Sequence, residues 1–157
     1  MFTSEKEKKF FFDVIKSDKK ILEYGSGEST LEISSQCFYL CSIEHQKNWY
    51  NKLITQIPTN CNLHLVEPNL PYIEGGDCGS YEEFKDYIEK PLNKSPFDII
   101  LIDGRARVGC ASICHKLSHN DTIVFIHDFQ RKEYQEVLKY LDFIDIVETM
   151  AKFKIKK

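Results

Sequence analysis

The sequence predicts an α/β fold: a doubly wound, mostly parallel sheet of seven strands between two layers of helices (three layers, α/β/α), ending in an antiparallel hairpin. Three observations predict it. Short β-branched or aromatic runs alternate with stretches of helical periodicity along the whole chain. The run Phe97–Ile102 (FDIILI) is apolar nearly throughout, as a strand buried on both faces must be. The last two runs, 143–147 and 151–155, are separated by Glu148, Thr149 and Met150, too few residues for a crossover and enough for a hairpin.

The elements follow in order. Ser4 is placed to cap a helix with Phe10, Phe11, Val14 and Ile15 on its apolar face, closed by Ser17 and Asp18. Residues 1–18 thus form an N-terminal helix ahead of a core at 19–157, and the 157 residues suit one domain. Lys20–Tyr24 (KILEY) reads as a buried strand broken by Gly25-Ser26-Gly27. A helix is predicted over 29–35, a strand over 38–43, and a helix over 46–57 that Pro58 stops. A strand over 62–66 leads into a Pro- and Gly-rich loop at 68–80, long for such a connection. Helical spacing returns at 81–88, 108–117 and 131–141, around strands at Phe97–Ile102 and 122–126. The Lys-rich end, KFKIKK, reads as a solvated edge strand protected by its lysines.

Composition narrows the function. Hydrophobic residues make up 42% and charged residues 29%, which excludes a disordered, collagenous or coiled-coil chain. Lys and Arg number 21 against 24 Asp and Glu, a net charge of −3, so a basic nucleic-acid footprint is not expected. No apolar run approaches the ~20 residues of a membrane span, and the first residues do not read as a secretion signal. The six cysteines are then expected as reduced thiols of a cytoplasmic protein. A small-molecule or sugar-like substrate fits better than nucleic acid or membrane, and a homodimer is compatible with the sequence.

Four clusters carry chemistry, each at the carboxyl end of a predicted strand, where open α/β sheets bind ligands. The first is Glu23-Tyr24-Gly25-Ser26-Gly27, followed by Ser29 and Thr30: two glycines for a sharp turn, and an acid able to accept from an amino group. The second is Glu44, followed by His45; an acid there can hold both hydroxyls of a ribose, or it can merely cap the next helix. Glu23 would repel a pyrophosphate, which turns the reading from a dinucleotide toward S-adenosylmethionine, whose amino-acid end carries an ammonium. The third is Asp103-Gly104-Arg105 with Arg107: Asp103 can hold an amino group or orient a nucleophile, and the arginines can bind a carboxylate or phosphate. The fourth is His127-Asp128, with His127 the candidate general base. Asp103, His127 and Asp128 could alternatively hold a divalent metal, which is not the expectation. Cys110, Cys114 and His115 lack a second ligand pair with zinc-finger spacing, so buried thiols are the better reading. Asp77, Cys78 and Tyr81 are candidates to line the site, whereas Trp49 reads as core.

Together these residues resemble the class I S-adenosylmethionine-dependent methyltransferases. Glu23-x-Gly25-x-Gly27 is similar to their first motif, Glu44 to their ribose-binding acid, Asp103 to the acid after strand four, and 143–155 to their closing hairpin. LEYGSGEST and LIDGRARVGCA more narrowly resemble a group of small, poorly characterised bacterial and viral methyltransferase-like proteins with EYGSGxST and DGRxRVxC motifs. The third glycine of the motif is replaced by Ser29, and Glu28 adds a charge beside it. The resemblance implies a Rossmann-like fold, with the cofactor bound by Glu23, Tyr24, Gly25, Ser26, Gly27, Ser29, Thr30, Glu44, His45 and Asp103. Arg105 and Arg107 would then hold an acidic acceptor, and His127 with Asp103 or Asp128 would assist in-line methyl transfer, with oxygen as the expected acceptor. A cofactor-binding module that activates a partner, and a nucleotide-dependent enzyme, are the alternatives.

Overall fold

The computed structural model describes residues 2–71 and 79–157. Seven strands form one sheet in the order β3-β2-β1-β4-β5-β7-β6. They are β1 (Lys20–Tyr24), β2 (Tyr39–Glu44), β3 (Cys61–Leu65), β4 (Phe97–Ile102), β5 (Ser118–Ile126), β6 (Leu141–Val147) and β7 (Met150–Ile155). β1 to β5 are parallel, and β7 runs antiparallel to both β5 and β6. The strand order reverses between β1 and β4, so the connections leaving those two strands part and open a crevice at their carboxyl ends.

Strand periodicity divides the core into two layers. Ile21 joins a cluster with Phe11, Ile33, Ile99 and Phe125, while the next residue, Leu22, joins Tyr24, Tyr87, Ile100 and Val124 on the other face. α1 (Glu5–Phe12) and α2 (Glu28–Ser34) contribute to the first layer, through Phe11 and Ile33. α4 (Lys85–Glu89), α5 (Arg107–Ser112) and α6 (Cys114–Leu117) contribute to the second. α3 is Lys47–Leu53, and two 3-10 helices occupy Lys90–Lys94 and Lys132–Lys139. α1 begins as predicted, with Ser4 Oγ accepting the Glu7 N–H at 3.2 Å. Its Phe11 ring packs edge-on against Phe125 of β5, centroids 5.0 Å apart.

Three expectations are corrected. The segment predicted as an α-helix over 131–141 is 3-10: its buried residues, Tyr134 and Val137, stand three apart, a spacing that both helix types satisfy. The helix predicted over 108–117 breaks at Ile113, whose backbone leaves the helical region. The Lys-rich strand β7 is interior to the sheet, not at its edge. Its Ala151 and Phe153 are buried, while Lys152 and Lys154 stand opposite Asp145 and Asp142 of β6. The edge falls to β6, which leaves Phe143, Ile144 and Ile146 exposed.

Candidate functional site

The crevice floor is made by two glycines. Gly25 adopts φ +93°, and a Cβ there would lie 2.6 Å from Gly104 Cα, so the turns after β1 and β4 touch backbone to backbone. Only residues without a side chain permit that approach. Tyr87 closes the layer beneath, its buried hydroxyl packed against Gly104. Above this floor opens a cleft of about 530 Å³. The turn after β1 lines it with Gly25, Ser26 and Gly27, and the segment after β2 with Glu44, His45, Gln46 and Trp49. The segment after β4 adds Asp103, Gly104, Arg105 and Arg107, and that after β5 adds Arg131 and Tyr134.

Glu44 is 3% exposed and anchored at both oxygens: Oε1 accepts the Ser26 N–H at 3.1 Å and Oε2 the Gln46 N–H at 2.7 Å. The His45 ring lies beside it, Nδ1 3.4 Å from Glu44 Oε2, and packs edge-on to Phe84. Trp49, expected in the core, is half-buried and forms a wall of the cleft; its Nε1–H donates to the Ser26 carbonyl at 2.6 Å. The helical spacing that suggested a core residue was real, but the indole sits where α3 meets the glycine turn.

Glu23 is corrected. It is fully buried and does not line the cleft. Ser29 Oγ, Thr30 Oγ1 and Ser42 Oγ donate to its carboxylate at 2.7–2.8 Å. Burial pushes its carboxyl up to about 7, against those three hydroxyls that lower it. Ser29 and Thr30 are therefore committed to Glu23, and Thr30 Oγ1 also accepts the Gly27 N–H at 2.9 Å. Tyr24 is buried too, its hydroxyl donating to the Ile88 carbonyl. These four residues brace the turn from below; Gly25, Ser26, Gly27, Glu44, His45 and Asp103 are the predicted cofactor residues that reach the cleft.

His127 is corrected as well. It is 4% exposed, with Nδ1 3.0 Å from Asp103 Oδ1 and Nε2 3.1 Å from Glu7 Oε2. A general base needs a free lone pair, and both ring nitrogens face carboxylates. Burial works against the charged ring, but Asp103, Asp128 and Glu7 outweigh it and raise its affinity for a proton. His127, held at both ring nitrogens, ties three elements together. Burial likewise would raise Asp103, yet His127 and Arg107 hold its carboxyl below the ordinary value. Asp103 thus stays ionised at the cleft wall.

Arg107 is not a free hand for substrate. Its Nε donates to the Gly104 carbonyl at 2.9 Å and its Nη1 to the His127 carbonyl at 2.6 Å. The guanidinium also pairs with Asp128 at 3.3 Å and Asp103 at 3.7 Å, and stacks on Tyr134. This charge decides the metal question. Asp103, His127 and Asp128 do converge within 4.8 Å, the sole such group among the described residues. With Arg107 already between the carboxylates and His127 donating, the set does not fit a divalent cation. Asp128 lies outside the cleft lining, whereas Arg105 and the unanticipated Arg131 line it.

Two residues escaped the sequence reading. Arg131 follows β5 at the sheet's ligand-binding edge, a position that was a usable signal. Glu7 is fully buried on α1. Its signal was spacing: Glu7, Phe11 and Ile15 stand four apart, which puts an acid on the apolar stripe. Asp77 and Cys78 lie outside the described residues. Tyr81 lines a different depression, with Gly109 and Glu136. Cys110 and Cys114 are buried, as expected, the Cys114 thiol pushed up to about 12 by burial, and His115 is exposed. Among the described residues no helix is long and apolar enough to cross a membrane.

The sequence matches no family model and no curated protein. Solved structures do match. A methyltransferase-like protein from Silicibacter pomeroyi is 22% identical with a TM-score of 0.73, covering 99% of this chain and 88% of that one. A TehB-like SAM-dependent methyltransferase from Corynebacterium glutamicum is 13% identical with a TM-score of 0.62, covering 99% and 89%. The N-methyltransferase NodS from Bradyrhizobium japonicum, in complex with S-adenosyl-L-homocysteine, is 11% identical with a TM-score of 0.63, covering 96% and 84%. At these identities the likeness is one of fold, and it joins the strand order and the closing hairpin in identifying that fold as the class I methyltransferase type.

Proposed function

We propose that this chain, which has the class I methyltransferase fold, is an S-adenosylmethionine-dependent methyltransferase acting on a small acidic acceptor. One observation carries the reading: two ionisable acids, Glu44 at the end of β2 and Asp103 after β4, flank a glycine floor at the sheet's switch point. Such a cleft suits a cofactor with two hydroxyls on one side and an ammonium on the other.

Glu44 is fixed at the cleft wall by the Ser26 and Gln46 N–H groups, where its carboxylate would accept from a ribose diol. Asp103 would accept from the ammonium, a charge-assisted bond the sequence reading had shared with Glu23. The bound cofactor supplies a methyl group on a sulfonium, transferred in line to a nucleophile. The chain's contribution is then proximity and orientation. Arg105 and Arg131 support an anionic acceptor, and Arg107 holds the wall behind them. An oxygen already ionised beside guanidinium groups needs no base, which accords with a His127 committed to Asp103 and Glu7.

Calorimetric titration tests the reading. Micromolar binding of S-adenosylmethionine and S-adenosylhomocysteine is expected, weakened at least about tenfold in Glu44→Ala, since a lost hydrogen bond to a charged group costs about 1.5–3 kcal/mol. Binding of NAD in their place would make the chain a nucleotide-dependent enzyme. Binding of none of them would leave the fold as a partner-activating module.

A further inference from the structure

We propose that Glu7, on the N-terminal helix α1, is a positioning residue of the cleft: through His127 it fixes the orientation of Asp103. The inference rests on the methyltransferase reading, in which Asp103 faces the cofactor's ammonium.

Glu7 belongs to a helix outside the cleft, yet it is fully buried and heavily bonded. Its Oε1 accepts the Thr149 N–H at 2.8 Å and the Thr149 hydroxyl at 2.5 Å, from the turn between β6 and β7. Its Oε2 accepts the Thr3 N–H at 2.9 Å, the Thr3 hydroxyl at 2.6 Å and His127 Nε2 at 3.1 Å. Five donors exceed the roughly four lone-pair sites of a carboxylate, so this acid is built into the fold rather than solvated. His127 is then gripped at both ends, its Nδ1 3.0 Å from Asp103 Oδ1. The ring cannot swing, and one oxygen of Asp103 is fixed.

The charged groups facing His127 are Glu7 from α1, Asp103 from the end of β4, and Asp128 at 3.8 Å from its own turn. Arg107 of α5 holds the His127 carbonyl and pairs with both aspartates, and Arg131 pairs with Asp128. Two carboxylates on opposite ring nitrogens demand two N–H donors, and only the imidazolium has two. Without the Glu7 charge the ring loses its proton more readily. A neutral ring has one N–H to share between Asp103 and residue 7 and no charge, so the charge-assisted bond that fixes Asp103 weakens.

The test compares S-adenosylhomocysteine affinity of the purified full chain at about pH 6 and about pH 8. Wild type is expected to change by less than about threefold. Glu7→Gln should bind nearly as wild type at the lower pH and on the order of tenfold more weakly at the higher one, an ordinary size for coupling between sites. Glu7→Asp keeps the charge on a shorter stem and should recover part of the loss. Ser4→Ala removes the α1 cap at the Glu7 backbone N–H and leaves every bond of the Glu7 carboxylate in place, so it should lower the melting temperature and leave affinity unchanged. Equal affinities for Glu7→Gln and wild type at both pH values would overturn the proposal. So would a pH-independent loss shared with Ser4→Ala, which would reduce Glu7 to a helix anchor. A wild type that binds at neither pH would instead bring down the cofactor reading itself.

Discussion

Three hydroxyls surround the Glu23 carboxyl under the glycine turn, and burial outweighs them, raising it to about 7. The consequence for stability has a definite sign. Between the ordinary value of 4.5 and about 7 the folded chain binds more protons at this site than the unfolded chain does, so stability falls as pH rises through that window. The difference amounts to about 3 kcal/mol. Glu23→Gln removes the titration while keeping the shape, and Ser29, Thr30 and Ser42 can rotate to serve an amide. Its melting temperature is expected to stay level from about pH 5 to about pH 6.5, where wild type already falls, and to exceed that of wild type at about pH 8. A variant less stable than wild type at about pH 8 would mean that the three hydroxyl bonds outweigh the burial. Part of this was legible. Glu23 alternates with Leu22 and Tyr24, so strand periodicity already put its side chain on the Ile21 face, away from the Tyr24 layer. His127 was legible only as an acid–base residue at a strand end. Its partner Glu7 lies 120 positions away, and no local pattern reports such a pairing.

At the scale of elements, the cleft depends on how closely two turns approach. Gly25 and Gly104 are in contact, and Gly25 holds φ +93°. Gly25→Ala adds about 1–3 kcal/mol of backbone strain and also drives a Cβ into the Gly104 backbone. Lowered thermal stability together with lost S-adenosylhomocysteine binding is expected. Gly27→Ala is the control. Its backbone is extended, and its Cβ would meet the Trp49 ring at 3.6 Å, an ordinary contact, so stability should change little. Retained binding in Gly25→Ala would show that the turn can reform around a side chain. β1 and β4 could be read end to end, because strands buried on both faces write continuous apolar runs. The 3-10 helix at Lys132–Lys139 could not, because a pair of buried residues three apart does not separate the two helix types. Nor could the interior place of β7: strand order is set by which edge the hairpin docks on, and its lysines mark one exposed face rather than a sheet edge.

Across the whole molecule, buried charge ties the first helix to the last hairpin. Glu7 of α1 accepts from Thr149 between β6 and β7 and from His127 after β5, and His127 meets Asp103 after β4. The titrations then set a window of maximum stability. Burial acts to raise Glu7, but the Thr149 and Thr3 bonds hold it at about 2, against an ordinary 4.5. Its stabilisation is therefore complete above pH 4.5 and lost as pH falls toward 2. His127 is raised above its ordinary 6.5, so its contribution is complete below that value and is lost as pH climbs through the raised one. Glu23 adds its own loss between 4.5 and about 7. The three effects meet in one optimum, at about pH 5. Melting temperatures recorded by calorimetry in steps of about half a pH unit should trace a dome with its crest there, well on the acid side of neutrality. The Glu23→Gln variant should shift that crest upward, because the Glu23 loss between 4.5 and about 7 is gone while that of His127 begins only above 6.5. A wild-type crest at about pH 8 or above would mean that the Glu7–His127–Asp103 chain does not carry a proton at neutral pH.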